Sequence, residues 1–292
     1  MVPTKALILA AGFGSRLLPA TKSISKPMLA IVDRPAIDYV VADYIDAGIK
    51  EIIIVGKQYF DQIESYFDRQ LALEKMLEAE NKPDLLASIT KYRDIQFTYV
   101  RQAQPGGPGD AVMAAYHLIK DDEAVFVSYT DDLIFPKNHQ VEMLAAYKQR
   151  PGTIVMSKNV PANEAHRYGI MQIAETIDTN LFLINGLVEK PKNSSAATNL
   201  AILSPMIIDK TVITILASRP QSNQKDHSNL SVAIGEAAKV SKVYAYVSDR
   251  PWIDIGNKAG FVKAQITFGL HDPTISEEIK TYLKETVADM AD

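Results

Sequence analysis

Directly after the apolar run Lys5–Ala10 come Gly12, Gly14 and Arg16, and two lysines, Lys22 and Lys26, follow closely. Glycines at the end of a strand let backbone N–H groups approach phosphate oxygens with no Cβ in the way. The cations supply countercharge, so a polyphosphate is the simplest ligand for this stretch. Two common phosphate loops do not fit. The dinucleotide fingerprint needs a third glycine where Leu17 stands, although Asp33 lies near the distance of a ribose-binding carboxylate. The P-loop needs Gly-Lys-Ser/Thr after its four-residue spacer, and that triplet is missing. A turn followed by a solvated basic loop remains the alternative.

Four further stretches carry chemistry. In "VSYTDDLIF", Asp131 and Asp132 follow the strand-like run Ala124–Tyr129, where ligands of open α/β sheets bind. A carboxylate there can hold Mg²⁺ on a phosphate, or it can simply finish a turn. In "RPWIDIGN", Asp254 is either a second metal carboxylate or a helix N-cap. In "GLVEKPK", Glu189 could bind sugar hydroxyls and Lys190 a phosphate, or the two could be an exposed ion pair at a strand end. In "RQAQPGGPGDA", Gln102 and a glycine-rich loop could face a flat base, or could be an ordinary strand-to-helix connection.

Composition narrows the classes. The net charge of −4 argues against broad nucleic-acid binding, and the single Trp252 offers no stacking platform. There is no cysteine, which removes disulfides, thiol nucleophiles and cysteine zinc sites. His117, His139, His166, His227 and His271 are scattered without metal-ligand spacing. No serine lies in a Gly-x-Ser-x-Gly elbow. No apolar run approaches a membrane span and no signal peptide is evident, so a cytoplasmic protein is expected.

The elements that must position these groups alternate in the first half. Strands are expected at Lys5–Ala10, Glu51–Val55, Ile95–Val100 and Ala124–Tyr129. Helices are expected at Pro35–Ala47, Gln58–Phe67 and Asp110–Ile119, with a polar, helix-prone insertion from Arg69 to Asp94. Such alternation implies βαβ units and a mainly parallel sheet. After Pro151 the pattern changes to strands at Thr153–Ser157, Ile170–Ile173 and Phe182–Val188, then a loop at Pro191–Asn199. Helices are expected at Pro205–Ala217, Leu230–Lys239 and Ala259–Leu270, a strand at Val243–Val247, and an amphipathic tail at Ser276–Lys284. The expected architecture is α/β: a three-layer αβα, Rossmann-like core with a mainly parallel mixed sheet and an added small sheet. The expected division is one domain over 1–270, with halves meeting near 150, and a helical tail over 271–292.

In this order the stretches "KALILAAGFGSRLLPATKSISKPML", "VRQ", "TDDL", "YGI", "VEKPK", "TNLAI" and "DIGNKAGF" resemble the sugar-1-phosphate nucleotidylyltransferases, and among them the bacterial UTP–glucose-1-phosphate uridylyltransferases. The resemblance spans nearly the whole chain. It implies transfer of UMP from UTP to glucose 1-phosphate, with Mg²⁺ as cofactor, no nucleic-acid or membrane partner, and assembly as a homodimer or homotetramer. It places Ala10, Ala11, Gly12 and Gly14 against the nucleotide, and Arg16 and Lys26 on the triphosphate. Gln102 and Gly107 match base-reading positions, and Asp131 and Asp254 the metal carboxylates. Gly169, Glu189 and Asn199 match sugar-binding positions, and Lys190 the lysine facing the sugar phosphate. The chain departs from the family pattern at Pro108 and Asp110, where leucine and histidine are usual. It departs again at "SYTDD", where the family has "LLPDD", and at "DHSNLSVAI", where His227 and Val232 replace acidic residues. These departures leave a thymidylyl or other-sugar specificity, or a weak regulatory homologue, as rival expectations.

Overall fold

All five residues of strand β1 (Lys5–Leu9) are buried. Ala6 and Ile8 enter one apolar cluster while Leu7 and Leu9 enter the other. A strand covered on both faces belongs inside a parallel sheet. After it come β2 (Ala30–Ile31), β3 (Arg34–Pro35), α1 (Ala36–Asp46), β4 (Glu51–Gly56), α2 (Phe60–Phe67), α3 (Leu71–Ala79), α4 (Pro83–Thr90), β5 (Gln96–Arg101), α5 (Pro108–Ala114) and β6 (Val125–Tyr129). β1 pairs in parallel with β4 and β6, and β4 in parallel with β5, as the alternation predicts. The computed structural model describes residues 2–57, 60–103, 106–120, 122–135, 139–191, 198–219 and 229–290. His227 and most of the expected loop Pro191–Asn199 lie outside them.

The insertion is the helix pair α3 and α4, closed at its base by buried carboxylates. Glu74 takes Arg69 at 2.7 Å and Arg93 at 2.6 Å. The fully buried Asp38 accepts from Tyr66, Tyr92, Lys91 and Arg34. The helix expected over Asp110–Ile119 is shorter and earlier: α5 ends at Ala114 and a separate 3₁₀ turn covers Tyr116–Leu118.

The second half runs β7 (Asp132–Ile134), α6 (His139–Gln149), β8 (Thr153–Asn159), β9 (Gly169–Thr176), β10 (Leu181–Glu189), β11 (Leu200–Ile208), α7 (Lys210–Ser218), α8 (Leu230–Ala237), β12 (Val243–Val247), β13 (Trp252–Asp254), α9 (Lys258–Gly269) and α10 (Ser276–Asp289). Among the described residues the main sheet has nine strands, in the order β5-β4-β1-β6-β11-β8-β12-β10-β9. The added strands β10 and β9 continue this sheet, and β9 bends back so that Ile170 also pairs with Ala201 of β11. β7 and β13 form a two-stranded ribbon.

One expected helix is corrected. Pro205–Ala217 is not a single helix, because its first residues belong to β11, buried throughout. Pro205 is tolerated inside a sheet strand because the β11–β8 register shifts between Leu203 and Met206. The helix proper, α7, starts at Lys210, where the Asp209 carboxylate accepts from the Thr211 and Val212 N–H groups. Among the described residues, no helix is long and apolar enough to cross a membrane.

Candidate active site

The glycine loop leaves the sheet at the C-terminal end of β1. The Ala10 N–H still donates to the Val55 carbonyl at 2.7 Å, and the chain then lifts away through Ala11, Gly12 and Phe13. A Cβ on Gly12 would meet no atom within 4 Å, so its backbone faces open space. Gly14 has φ 64°, and a Cβ there would stand 2.9 Å from Thr21 Cγ2 and 3.0 Å from Lys26 Cβ. Thr21 Oγ1 donates to the Gly14 carbonyl at 2.9 Å. The tight return of the loop thus sets the position of Lys26.

Two carboxylates meet this loop. Asp131 lies just past β6, and Lys26 Nζ sits 2.7 Å from its Oδ2. Asp254 ends β13, and its Oδ1 accepts from the Gly256 N–H at 2.8 Å. Asn257 Nδ2 donates to Asp254 Oδ2 at 3.1 Å, and the Asn257 side-chain oxygen caps α9 through the Gly260 N–H. The cap is therefore Asn257, and Asp254 is left to face the site. A Cβ placed on Gly256 would lie 2.7 Å from Asp131 Oδ2, 2.8 Å from Asp254 Oδ1 and 2.8 Å from Arg16 Nη2. Those three groups converge on one point, and the glycine leaves it free.

Among the described residues no larger group of His, Cys, Asp or Glu could cage a metal. Two carboxylates completed by phosphate oxygens and water suit Mg²⁺, which keeps several waters and needs few protein ligands.

Asp132, beside Asp131, has a different part. It accepts from Trp252 Nε1 at 3.0 Å, Ser204 Oγ at 2.9 Å and Ser204 N–H at 3.1 Å. Its pairing opposite Asp254 joins β7 to β13. Burial, then the charge of Asp131, push its carboxyl up to about 6.

The opposite wall begins at β9 and β10, where Glu189 pairs with Gly169. Gly169 is buried, and a Cβ there would stand 3.0 Å from Glu189 Oε2. That oxygen is buried with no hydrogen-bond partner among the described residues. Lys190 takes φ 46°, its N–H donates to the Tyr168 carbonyl at 3.0 Å, and its Nζ lies 3.6 Å from Glu189 Oε1. Gln102 is 5% exposed, with its N–H on the Gly56 carbonyl and its Nε2 3.4 Å from the Gly107 carbonyl. Gly107 has φ 109°, the left-handed backbone a side chain would resist.

These walls enclose a cleft of about 750 Å³, lined by Gly12, Lys26, Gln102, Gly107, Asp131, Glu189 and Lys190 among others. Asn199 is exposed, and its carbonyl accepts the Val160 N–H rather than bordering this cleft. Sequence reasoning did not select Tyr129 or Asn229, which line the cleft, or Arg167, whose Nη2 lies 3.9 Å from Asp254 Oδ2. The run "SYTDD" carried a signal for Tyr129; a lone arginine before "YGI" carried none. A second cavity, about 140 Å³, lies beneath Asp132 beside His139 and Gln140.

The chain matches the nucleotidyl transferase family model over residues 5–268. A UTP–glucose-1-phosphate uridylyltransferase of Staphylococcus epidermidis is 34% identical over 283 residues, 96% of this chain and 97% of that one. The enzyme of that name from Bacillus subtilis is 33% identical over 282 residues, covering 96% of each chain. A UTP-bound UGPase structure from Acinetobacter baumannii superposes with a TM-score of 0.88 at 34% identity, covering 98% of this chain and 99% of that one.

Proposed function

This chain belongs to the nucleotidyl transferase family, and from that premise we propose that it transfers UMP from UTP to glucose 1-phosphate, giving UDP-glucose and pyrophosphate. The observation that carries the reading is the meeting of Asp131, Asp254 and Arg16 around Gly256, at a cleft whose far wall presents Glu189 and Lys190. A phosphate oxygen of the sugar 1-phosphate attacks the α-phosphorus of UTP. The new P–O bond forms as the bond to the bridging α–β oxygen breaks, and that oxygen leaves with pyrophosphate. The nucleophile is already anionic near neutral pH, so no side chain has to remove a proton. The obstacle is repulsion between two anions.

Asp131 and Asp254 would hold Mg²⁺, whose charge offsets that of both substrates. Ala10, Ala11, Gly12 and Gly14 bring backbone to the nucleotide, and Gln102 with Gly107 faces the base. Arg16 and Lys26 face charge building on the departing pyrophosphate. Lys26 exchanges its contact with Asp131 for one with phosphate. Glu189 and Gly169 border the hexose, and Lys190 aligns the incoming phosphate. The same proposal divides the chain into a nucleotide half to about 150, a sugar half to about 270 and a tail beyond, acting in the cytoplasm as a homodimer or homotetramer. Light scattering after size exclusion reads the assembly.

The test is direct. Protein, UTP, glucose 1-phosphate and Mg²⁺ are incubated and followed by ³¹P NMR. UDP-glucose and pyrophosphate should appear in equal amounts, and chelator should stop the reaction. A mixture that stays unchanged refutes the reading.

A further inference from the structure

Two guanidinium groups flank one oxygen of Asp254. Arg16 Nη1, from the nucleotide side, lies 3.9 Å from Oδ2, and Arg167 Nη2, from the 3₁₀ turn Ala162–Arg167, lies 3.9 Å from the same oxygen. Neither contact is close, and the arginine side chains are 61% and 41% exposed. Pairs of that length and exposure hold little of a fold together. Asp254 does not depend on Arg167 for its orientation, because Gly256 N–H and Asn257 Nδ2 already fix its two oxygens. Arg167's other carboxylate contact, Glu164 at 3.5 Å, lies on its own exposed turn.

The turn that carries Arg167 leads directly into the sugar wall. The next residue, Tyr168, accepts the Lys190 N–H, and the one after it, Gly169, pairs with Glu189. The Tyr168 ring lies 5.5 Å from the Arg167 guanidinium and packs edge-on against Trp252, which donates to Asp132. Arg167 is therefore held loosely at its tip and firmly at its base, between Asp254 and the strand ends that carry Lys190.

We infer that Arg167 binds the phosphate of the sugar 1-phosphate, sharing this phosphomonoester dianion with Lys190. The inference rests on the transferase reading above. A planar guanidinium can take two phosphate oxygens at once, whereas an ammonium acts as a point charge. With two oxygens engaged by Arg167 and Lys190 drawing on the charge, the remaining oxygen is turned toward the α-phosphorus. Asp254 keeps the guanidinium nearby until the phosphate arrives.

The experiment uses Arg167→Gln and Arg167→Lys in the full chain, with thermal melts to confirm folding. Glucose 1-phosphate is titrated calorimetrically into protein holding Mg²⁺ and α,β-methylene UTP, whose α–β link cannot break; steady-state KM values for both substrates are measured alongside. Arg167→Gln should weaken glucose 1-phosphate, in Kd and in KM, by about tenfold to a hundredfold, the range for one charge-assisted hydrogen bond. UTP should change by less than about twofold. Arg167→Lys should recover part of the loss. Unchanged glucose 1-phosphate binding, equal weakening of both substrates, or a shift confined to the Mg²⁺ requirement would overturn the inference. Wild-type protein that binds glucose 1-phosphate without turning it over would refute the transferase reading while leaving the Kd comparison to judge Arg167. Wild-type protein that does not bind it refutes both.

Discussion

The two walls of the cleft are built on opposite plans. On the nucleotide wall most polar groups are already engaged: Lys26, 12% exposed, sits on Asp131, Gln102 is buried against its own loop, and Thr21 ties down Gly14, with Arg16, 61% exposed, the looser member. On the sugar wall they are not. The Lys190 side chain is 64% exposed, Arg167 is loosely placed, and Glu189 Oε2 is buried without a partner among the described residues. A buried acceptor left unpaired costs about 1–3 kcal/mol. A hydroxyl-bearing ligand removes that cost, whereas on the other wall a phosphate must displace an existing ion pair. On the proposed assignment, the nucleotide wall is thus largely set in advance, and the sugar wall would be completed by its substrate.

The largest effect should come from the carboxylates that join the walls. Asp131→Asn and Asp254→Asn should each slow turnover by orders of magnitude in protein that still folds, since both lie at a strand end rather than in the core. Circular dichroism and a pyrophosphate-release assay check this together. A full rate in either variant would remove that carboxylate from the reaction.

How far this arrangement was readable in the sequence depended on distance along the chain. Gly12, Gly14, Arg16 and Lys26 could be read because local turn geometry brings them together. Asp131 could be read because it follows a buried strand. The meeting of Asp131 with Asp254 could not be read from spacing. It depends on β7 and β13, three residues each, too short to show an alternating pattern; the resemblance to a family supplied the pairing instead. Pro205 misled the reading because a proline before an apolar run resembles a helix start, while here a register shift absorbs it within β11. Arg167 was invisible because its approach to Asp254 joins a turn before β9 to the end of β13, which lie far apart in the chain.

Next in size is the effect that separates the walls. Lys190→Ala should raise the KM for glucose 1-phosphate by about tenfold or more, matching loss of a charged contact worth about 1.5–3 kcal/mol, with UTP nearly unaffected. Lys26→Ala should instead raise the KM for UTP and slow turnover. If both variants weaken both substrates alike, the walls do not divide the substrates.

A smaller effect probes the support beneath the carboxylates. His139 is buried, its Nδ1 makes no hydrogen bond among the described residues and lies 3.9 Å from Asp43 Oδ2, and burial, then the charge of Arg250, lowers its pKa to about 3. The unfolded chain takes up a proton below the ordinary value of about 6.5 while the fold resists until about 3, so stability is lost as pH falls across that window, by up to about 1.4 kcal/mol per pH unit. Asp132, raised to about 6 by burial and by Asp131, acts in the opposite sense. Its fold binds the proton first, so stability is gained as pH falls from about 6 to the ordinary carboxylate value near 4. The two should nearly cancel between pH 6 and 4 in the wild type. His139→Leu removes the loss and keeps the gain, so its melting temperature should rise relative to wild type with acidification. Parallel pH profiles would show that His139 is not held neutral.

The central claim, a nucleotide wall set in advance for uracil, is tested most directly by kcat/KM for UTP, dTTP, CTP, ATP and GTP at saturating glucose 1-phosphate. Uracil offers an N3–H donor between two carbonyl acceptors, while cytosine offers an N3 acceptor and an amino donor. A fixed backbone donor or acceptor cannot reverse to suit cytosine. A site built on hydrogen bonds can reject the mismatched base by a factor on the order of 10⁴, whereas the extra methyl of thymine is worth only about 1–3 kcal/mol. UTP should therefore be best, dTTP measurable, and CTP, ATP and GTP poor. Purine nucleotides rivalling UTP would contradict the account, and a clear preference for dTTP would contradict the uridylyl assignment.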